Sequence, residues 1–182
     1  MEGGNPHLYN GEKMKLIISL IASLGLLAPQ SSHPECDPDS PDNPCNQTFT
    51  PPAAGDCPSG FVRDEACAAA CLAAYNAAME RARQKACEAM ADACTDYQTD
   101  VDTCYTALED CLDNITADPT VDPDTYFEEY YQCWNDFDDC IEEAEEDFEA
   151  ESSAIGNFLF WSNVRAGGAY LACMEDCCQE EN

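Results

Sequence analysis

Histidine and positive charge are both scarce in this chain of 182 residues. Its only histidines, His7 and His33, both precede the helix-forming region, so Ser-His or Cys-His chemistry has no base there. Carboxylates abound, but nothing in the sequence marks one pair as buried or unusually titrating. The expectation is therefore a protein that is not an enzyme and needs no cofactor. Seven Lys and Arg stand against 37 Asp and Glu, giving a net charge of −30. That balance argues against nucleic acid, whose phosphates require cations, and against anionic membrane surfaces. Basic protein surfaces and divalent cations remain as the partners such a charge can steer. Long apolar runs are also missing. The longest, residues 16–27, is too short to span a bilayer, so no membrane span is expected in the mature chain. Finally, residues 61–118 contain neither Gly nor Pro, which removes the usual helix breakers.

Cysteine, by contrast, is abundant: there are fourteen. Such density in a chain this size implies an oxidising compartment. The segment 14–32 fits that location. Lys13-Met14-Lys15 and the apolar run read as a secretory signal, with Met14 as the true start and residues 1–13 as a mis-assigned extension. A secreted or periplasmic protein is expected.

Residues 33–60 carry seven prolines together with Cys36, Cys45 and Cys57. Prolines at that density favour an extended strap over helix or sheet. Residues 61–182 read as one all-α domain, a long antiparallel helical hairpin. Cys87, Met90, Cys94, Tyr97, Val101, Cys104, Leu108, Cys111 and Ile115 are spaced alternately by three and four, a coiled-coil seam. Phe127, Tyr130, Trp134, Phe137, Ile141, Ala144 and Phe148 repeat that spacing on the return arm. Pro119 and Pro123, the only prolines after Pro58, place the turn at 114–124. A phase change near residue 86, the Thr- and Asp-rich stretch 95–103, and Ser152, Ser153 and Gly156 weaken the arms. The hairpin is thus either straight or bent into a four-helix bundle. Gly167-Gly168 marks a further soft spot.

The cysteines of the hairpin form a palindrome. Cys67-x3-Cys71 is answered by Cys173-x3-Cys177, and Cys104-x6-Cys111 by Cys133-x6-Cys140, all mirrored about residue 122. Cysteines four or seven apart on a helix share a face. An antiparallel fold at residue 122 therefore predicts the bridges Cys67–Cys177, Cys71–Cys173, Cys104–Cys140 and Cys111–Cys133. The same mirror sets Phe158, Leu159, Phe160 and Trp161 against the small residues of the Ala-rich arm. Cys87 and Cys94 have no mirror partner. Twelve extended residues reach about 37 Å, and Cys87 lies about 43 Å along its helix. A strap lying along the hairpin predicts Cys57–Cys178, Cys45–Cys87 and Cys36–Cys94; the rival is bridging of Cys87 and Cys94 to a second copy.

The outer Cys-x3-Cys pair resembles the staple of α-hairpinins, small two-helix defence peptides. The resemblance covers that spacing alone, and the charge here has the wrong sign for attack on anionic membranes. Cys-x3-Cys pairs in a helical bundle are also similar to those of exported copper storage proteins, which implies Cu(I) on reduced thiolates. Calcium is the other metal to weigh. Asp118, Asp122, Asp124 and Glu129 fall at loop positions of an EF-hand, but Pro123 stands where its Gly should be. Asn46-Gln47-Thr48 and Asn114-Ile115-Thr116 are glycosylation sequons in a eukaryotic secretory route. The function expected is that of a disulfide-braced acidic structural or protein-interaction module. Metal sequestration, by Cu(I) on thiolates or Ca2+ on the acidic surface, is the alternative.

Overall fold

A computed structural model describes residues 33–117 and 122–180. The chain divides into two compact units, Met1–His33 and Pro34–Asn182. The expected extension 1–13 and signal 14–32 lie outside the described residues. The second unit is an antiparallel pair of helices, α1 (Glu65–Ala117) and α2 (Pro123–Asp176), preceded by a Pro-containing segment. Residues 114–117 are still helical and α2 starts at Pro123, so the turn is narrower than the expected 114–124.

Both helices run without a break, over 53 and 54 residues. The bent, four-helix alternative is not what forms. In the weak stretch the threonines satisfy their own hydroxyls. Thr95, Thr99, Thr103 and Thr106 each donate to the carbonyl four residues earlier at 2.8–2.9 Å. No hydroxyl is left to compete for the helical ladder. Ser152, Ser153 and Gly156 likewise stay helical, held by packing along the neighbouring seam, which outweighs a propensity loss of about 1 kcal/mol per Gly.

The open end of the hairpin is closed by backbone pairing. Pro58 to Phe61 forms a turn with Gly60 at φ 88°, a left-handed value that suits a residue without Cβ. It leads into β1 (Phe61–Arg63), which pairs antiparallel with β2 (Cys178–Glu180), Val62 opposite Gln179. Asp64 ties the two helices together there. Its carboxylate caps α1 by accepting from the amides of Ala66 and Cys67, at 2.8 and 3.1 Å. Its own amide donates to the Cys177 carbonyl at 2.9 Å, and its second oxygen accepts from Gln179.

The core is one layer thick and breaks into clusters along the rod. At the open end Cys71, Met174 and Cys177 are buried together. Next come Ala82, Ala86 and Leu159, with Phe49 of the strap against them. Met90, Ala93, Tyr97, Val101, Ala144 and Phe148 follow, then Leu108, Ile115 and Cys133 near the turn. The expected packing of large residues against the Ala-rich arm holds for Leu159 alone. Phe158, Phe160 and Trp161 are 43%, 56% and 63% exposed. Successive helical residues are turned by about 100°, so only one of four neighbours can point at the partner helix. Phe127 is exposed for the same reason, its neighbour Tyr126 packing against the core instead.

The strap is only partly extended. Two 3-10 turns, Pro34–Cys36 and Pro44–Asn46, fold its first part into a compact loop. The Asn43 amide donates to the carbonyls of Glu35 and Asp37, and the Asn46 amide to those of Pro38 and Ser40. Asn43 is buried in the process. Residues 47–58 lack regular structure, and Pro52 of this part lies 3.4 Å from where a Cβ on Gly167 would sit. The supposed soft spot at Gly167 is thus a place of close approach between strap and helix.

Candidate functional site

All fourteen cysteines are in bridges. The mirror positions are joined as Cys67–Cys177, Cys71–Cys173, Cys104–Cys140 and Cys111–Cys133, with Cα separations of 5.5–5.9 Å. Those distances suit side chains facing each other across an antiparallel helix pair. The strap supplies the other three: Cys57–Cys178 at the open end, Cys45–Cys87 and Cys36–Cys94 further along α1. Arg83 adds a polar tie by donating to the Cys45 carbonyl at 2.6 Å while paired with Glu80 at 2.7 Å. Cys87 and Cys94 are therefore used within the chain, and bridging to a second copy is not what forms.

At the open end the sulfurs converge. Cys67, Cys71 and Cys177 have their Sγ atoms within 4.8 Å of one another, and Cys71 Sγ lies 3.5 Å from Cys177 Sγ across two adjacent bridges. As disulfides these atoms are not thiolate donors; the metal-ligating species exists only after reduction.

Among the described residues, the calcium candidates Asp122, Asp124 and Glu129 form no cluster of ligand atoms. Asp118 lies outside the described residues. Asp122 is the N-cap of α2, accepting from the amides of Asp124 and Thr125 at 3.1 and 3.2 Å and from the Thr125 hydroxyl at 2.6 Å. Those bonds, the Thr125 hydroxyl first, hold its carboxyl below the usual carboxylate range. Asp124 and Glu129 are exposed on the helix. Asp122 thus serves as a helix cap, with Pro123 at the first helical position, where its missing N–H costs nothing.

A feature that heptad reading missed is the segregation of charge along the rod. Residues 88–151 contain no Lys or Arg, whereas 152–174 contain no Asp or Glu, and Arg81, Arg83 and Lys85 sit level with the latter on α1. The signal was present as a plain count by segment, and it is obscured when charge is summed over the chain. Where the acidic part begins, Asp96, Asp100, Asp147 and Glu151 line a cleft of about 440 Å3 between the helices, with Tyr97 and Phe148 among its walls.

Comparison with known proteins adds no relative: no family model matches the chain, and no curated protein or solved structure is significantly similar to it. Among the described residues, no helix is long and apolar enough to cross a membrane.

Proposed function

We propose that the chain is a secreted, non-enzymatic, disulfide-braced helical module that acts through its surface as a structural or protein-interaction element. The observation that carries this reading is the use of every cysteine to hold two long helices and a strap in one rigid rod. Self-repulsion at −30 loosens a thin core, and covalent ties offset it. The signal-like segment and the bridge density support export to an oxidising compartment. The partner of the acidic part is a basic protein surface, bound with steep salt dependence.

A second reading has one observation in its favour, the convergence of Cys67, Cys71 and Cys177. Reduced, this end would present thiolates suited to Cu(I). One measurement separates the two. The intact mass of protein taken from its own compartment should be two hydrogens lower per bridge, with no bound copper. Free thiols accompanied by copper would overturn the braced-module reading in favour of storage.

A further inference from the structure

One face of the rod is taken by the strap: Cys45 to Phe49 pack beside Asn76, Glu80 and Arg83 of α1, and Pro52 reaches Gly167 of α2. Among the described residues, nothing lies over the opposite face. On α2 it presents Asp147, Glu151, Ala154, Phe158, Trp161 and Arg165, all exposed. These positions are spaced by four, three, four, three and four, a second heptad seam that nothing among the described residues covers. The seam is acidic at one end, apolar in the middle and basic at the other.

That order is self-complementary. A second α2 laid antiparallel about residue 156 sets Asp147 against Arg165 of the other copy, Glu151 against Trp161, and Ala154 against Phe158. The charges are opposite at both ends, and the small residue meets the large one in the middle. The companion helix gives the same axis independently. Residue 156 is level with residue 88 across the hairpin, because the mirrored bridges set that register. Around residue 88, Arg81 comes to face Asp96 of the other copy and Lys85 to face Asp92. The two axes agree within a fraction of one 1.5 Å helical rise. Arg81, Lys85 and Arg165 have no ion pair within the described residues, so all are available.

We propose that this bare face is a two-fold self-association surface, through which two hairpins pack antiparallel into a four-helix assembly. The arrangement is isologous, so every contact occurs twice. The net charge of −30 repels copies at a distance, but at about 0.15 M salt the screening length is about 8 Å, and the local pairing of unlike charges decides the contact. This inference rests on the interaction-module reading and names one partner, a second copy of the chain. A monomeric rod would sink it while leaving binding of a foreign basic surface untouched.

Sedimentation equilibrium of the oxidised full chain tests it. A dimer is expected at about 100 μM chain and about 0.15 M salt, conditions in which micromolar affinity is visible. Arg165→Glu should weaken the dimer at least about tenfold, because it creates two like-charge pairs. Asp147→Arg should do the same, and the double variant D147R/R165D should restore affinity to within about threefold of the parent. Both positions are exposed, and an unchanged helical circular dichroism spectrum shows that the fold is kept. A monomer at that concentration overturns the proposal. So does a dimer that the single reversals leave intact, or one that the double exchange fails to restore.

Discussion

The two halves of this hairpin share one mirror and differ in almost everything that holds them. The half near the turn is built on aromatic rings. Tyr97 packs on Phe148 with centroids 5.3 Å apart and Tyr105 on Phe137 at 5.0 Å, and Tyr130, Trp134 and Phe137 continue the row. It carries two bridges across the helices, Cys104–Cys140 and Cys111–Cys133, and no positive charge between residues 88 and 151. The open half packs small residues, Ala82 and Ala86, around Leu159 and is held by crowded bridges, the strap and a strand pair. Where charge of one sign repels, bulky apolar area does the holding; where residues are small and charges of both signs nearly balance, covalent ties and the strap finish the work.

That contrast makes unequal demands on the bridges. Removing Cys104–Cys140 (both to Ser) should lower stability by about 3 kcal/mol, because few other ties hold the acidic half. Removing Cys71–Cys173 should cost clearly less, since Cys67–Cys177 closes nearly the same loop four residues away. Urea unfolding of the two variants measures this, and equal losses would show that the halves are not braced differently.

The packing of the open half can be split next. Leu159→Ala should cost about 2–4 kcal/mol, as it empties a fully buried site. Phe158→Ala, one residue away, should change stability by no more than about 0.5 kcal/mol in the monomer. Thermal unfolding at low protein concentration reads both, and a large loss at Phe158 would place it in the core.

Salt should act on one half only. Raising it from about 0.02 to about 0.5 M shortens the screening length several-fold. Amide exchange should then slow for residues 88–151 and change little for 152–174; uniform slowing would remove charge as the cause.

The smallest effect belongs to Asp122. Its carboxyl lies below the usual range when folded, so the cap stabilises above the unfolded value. That contribution is lost as pH falls through the folded value. The stability gap between the parent and Asp122→Ala should therefore be present at pH 7 and close on acidification. A gap that persists at pH 2 would deny the carboxylate its part.

Much of this was readable from residue spacing, and the rest fails for identifiable reasons. The shared centre of two unlike cysteine spacings sets which helical positions can meet, since a rigid helix carries register over its whole length. The strap residues Cys36, Cys45 and Cys57 could be ordered along the hairpin from their reach alone. Continuity of the arms could not be read, because Thr95, Thr99 and Thr103 are poor helix formers until their hydroxyls find carbonyls within the helix. Nor could the choice of Leu159 over Phe158, Phe160 and Trp161. All four are apolar, and only the azimuth of the neighbouring helix selects one. For Asp122 the sequence favoured capping over calcium, since Pro123 stands where an EF-hand needs Gly, and its partners are indeed amides and a hydroxyl.

The sequence by itself determined the mirror register, the absence of Gly and Pro from the first arm and the separation of charge along the chain. These are one-dimensional properties, and helical geometry translates them directly into position along a rod. Only the tertiary structure decided what lies around that rod: which face the strap covers, which face stays bare, and how Asp64 and the strand pair close the open end. Those outcomes depend on azimuth and on contacts between distant segments, such as Pro52 against Gly167, which no local periodicity encodes.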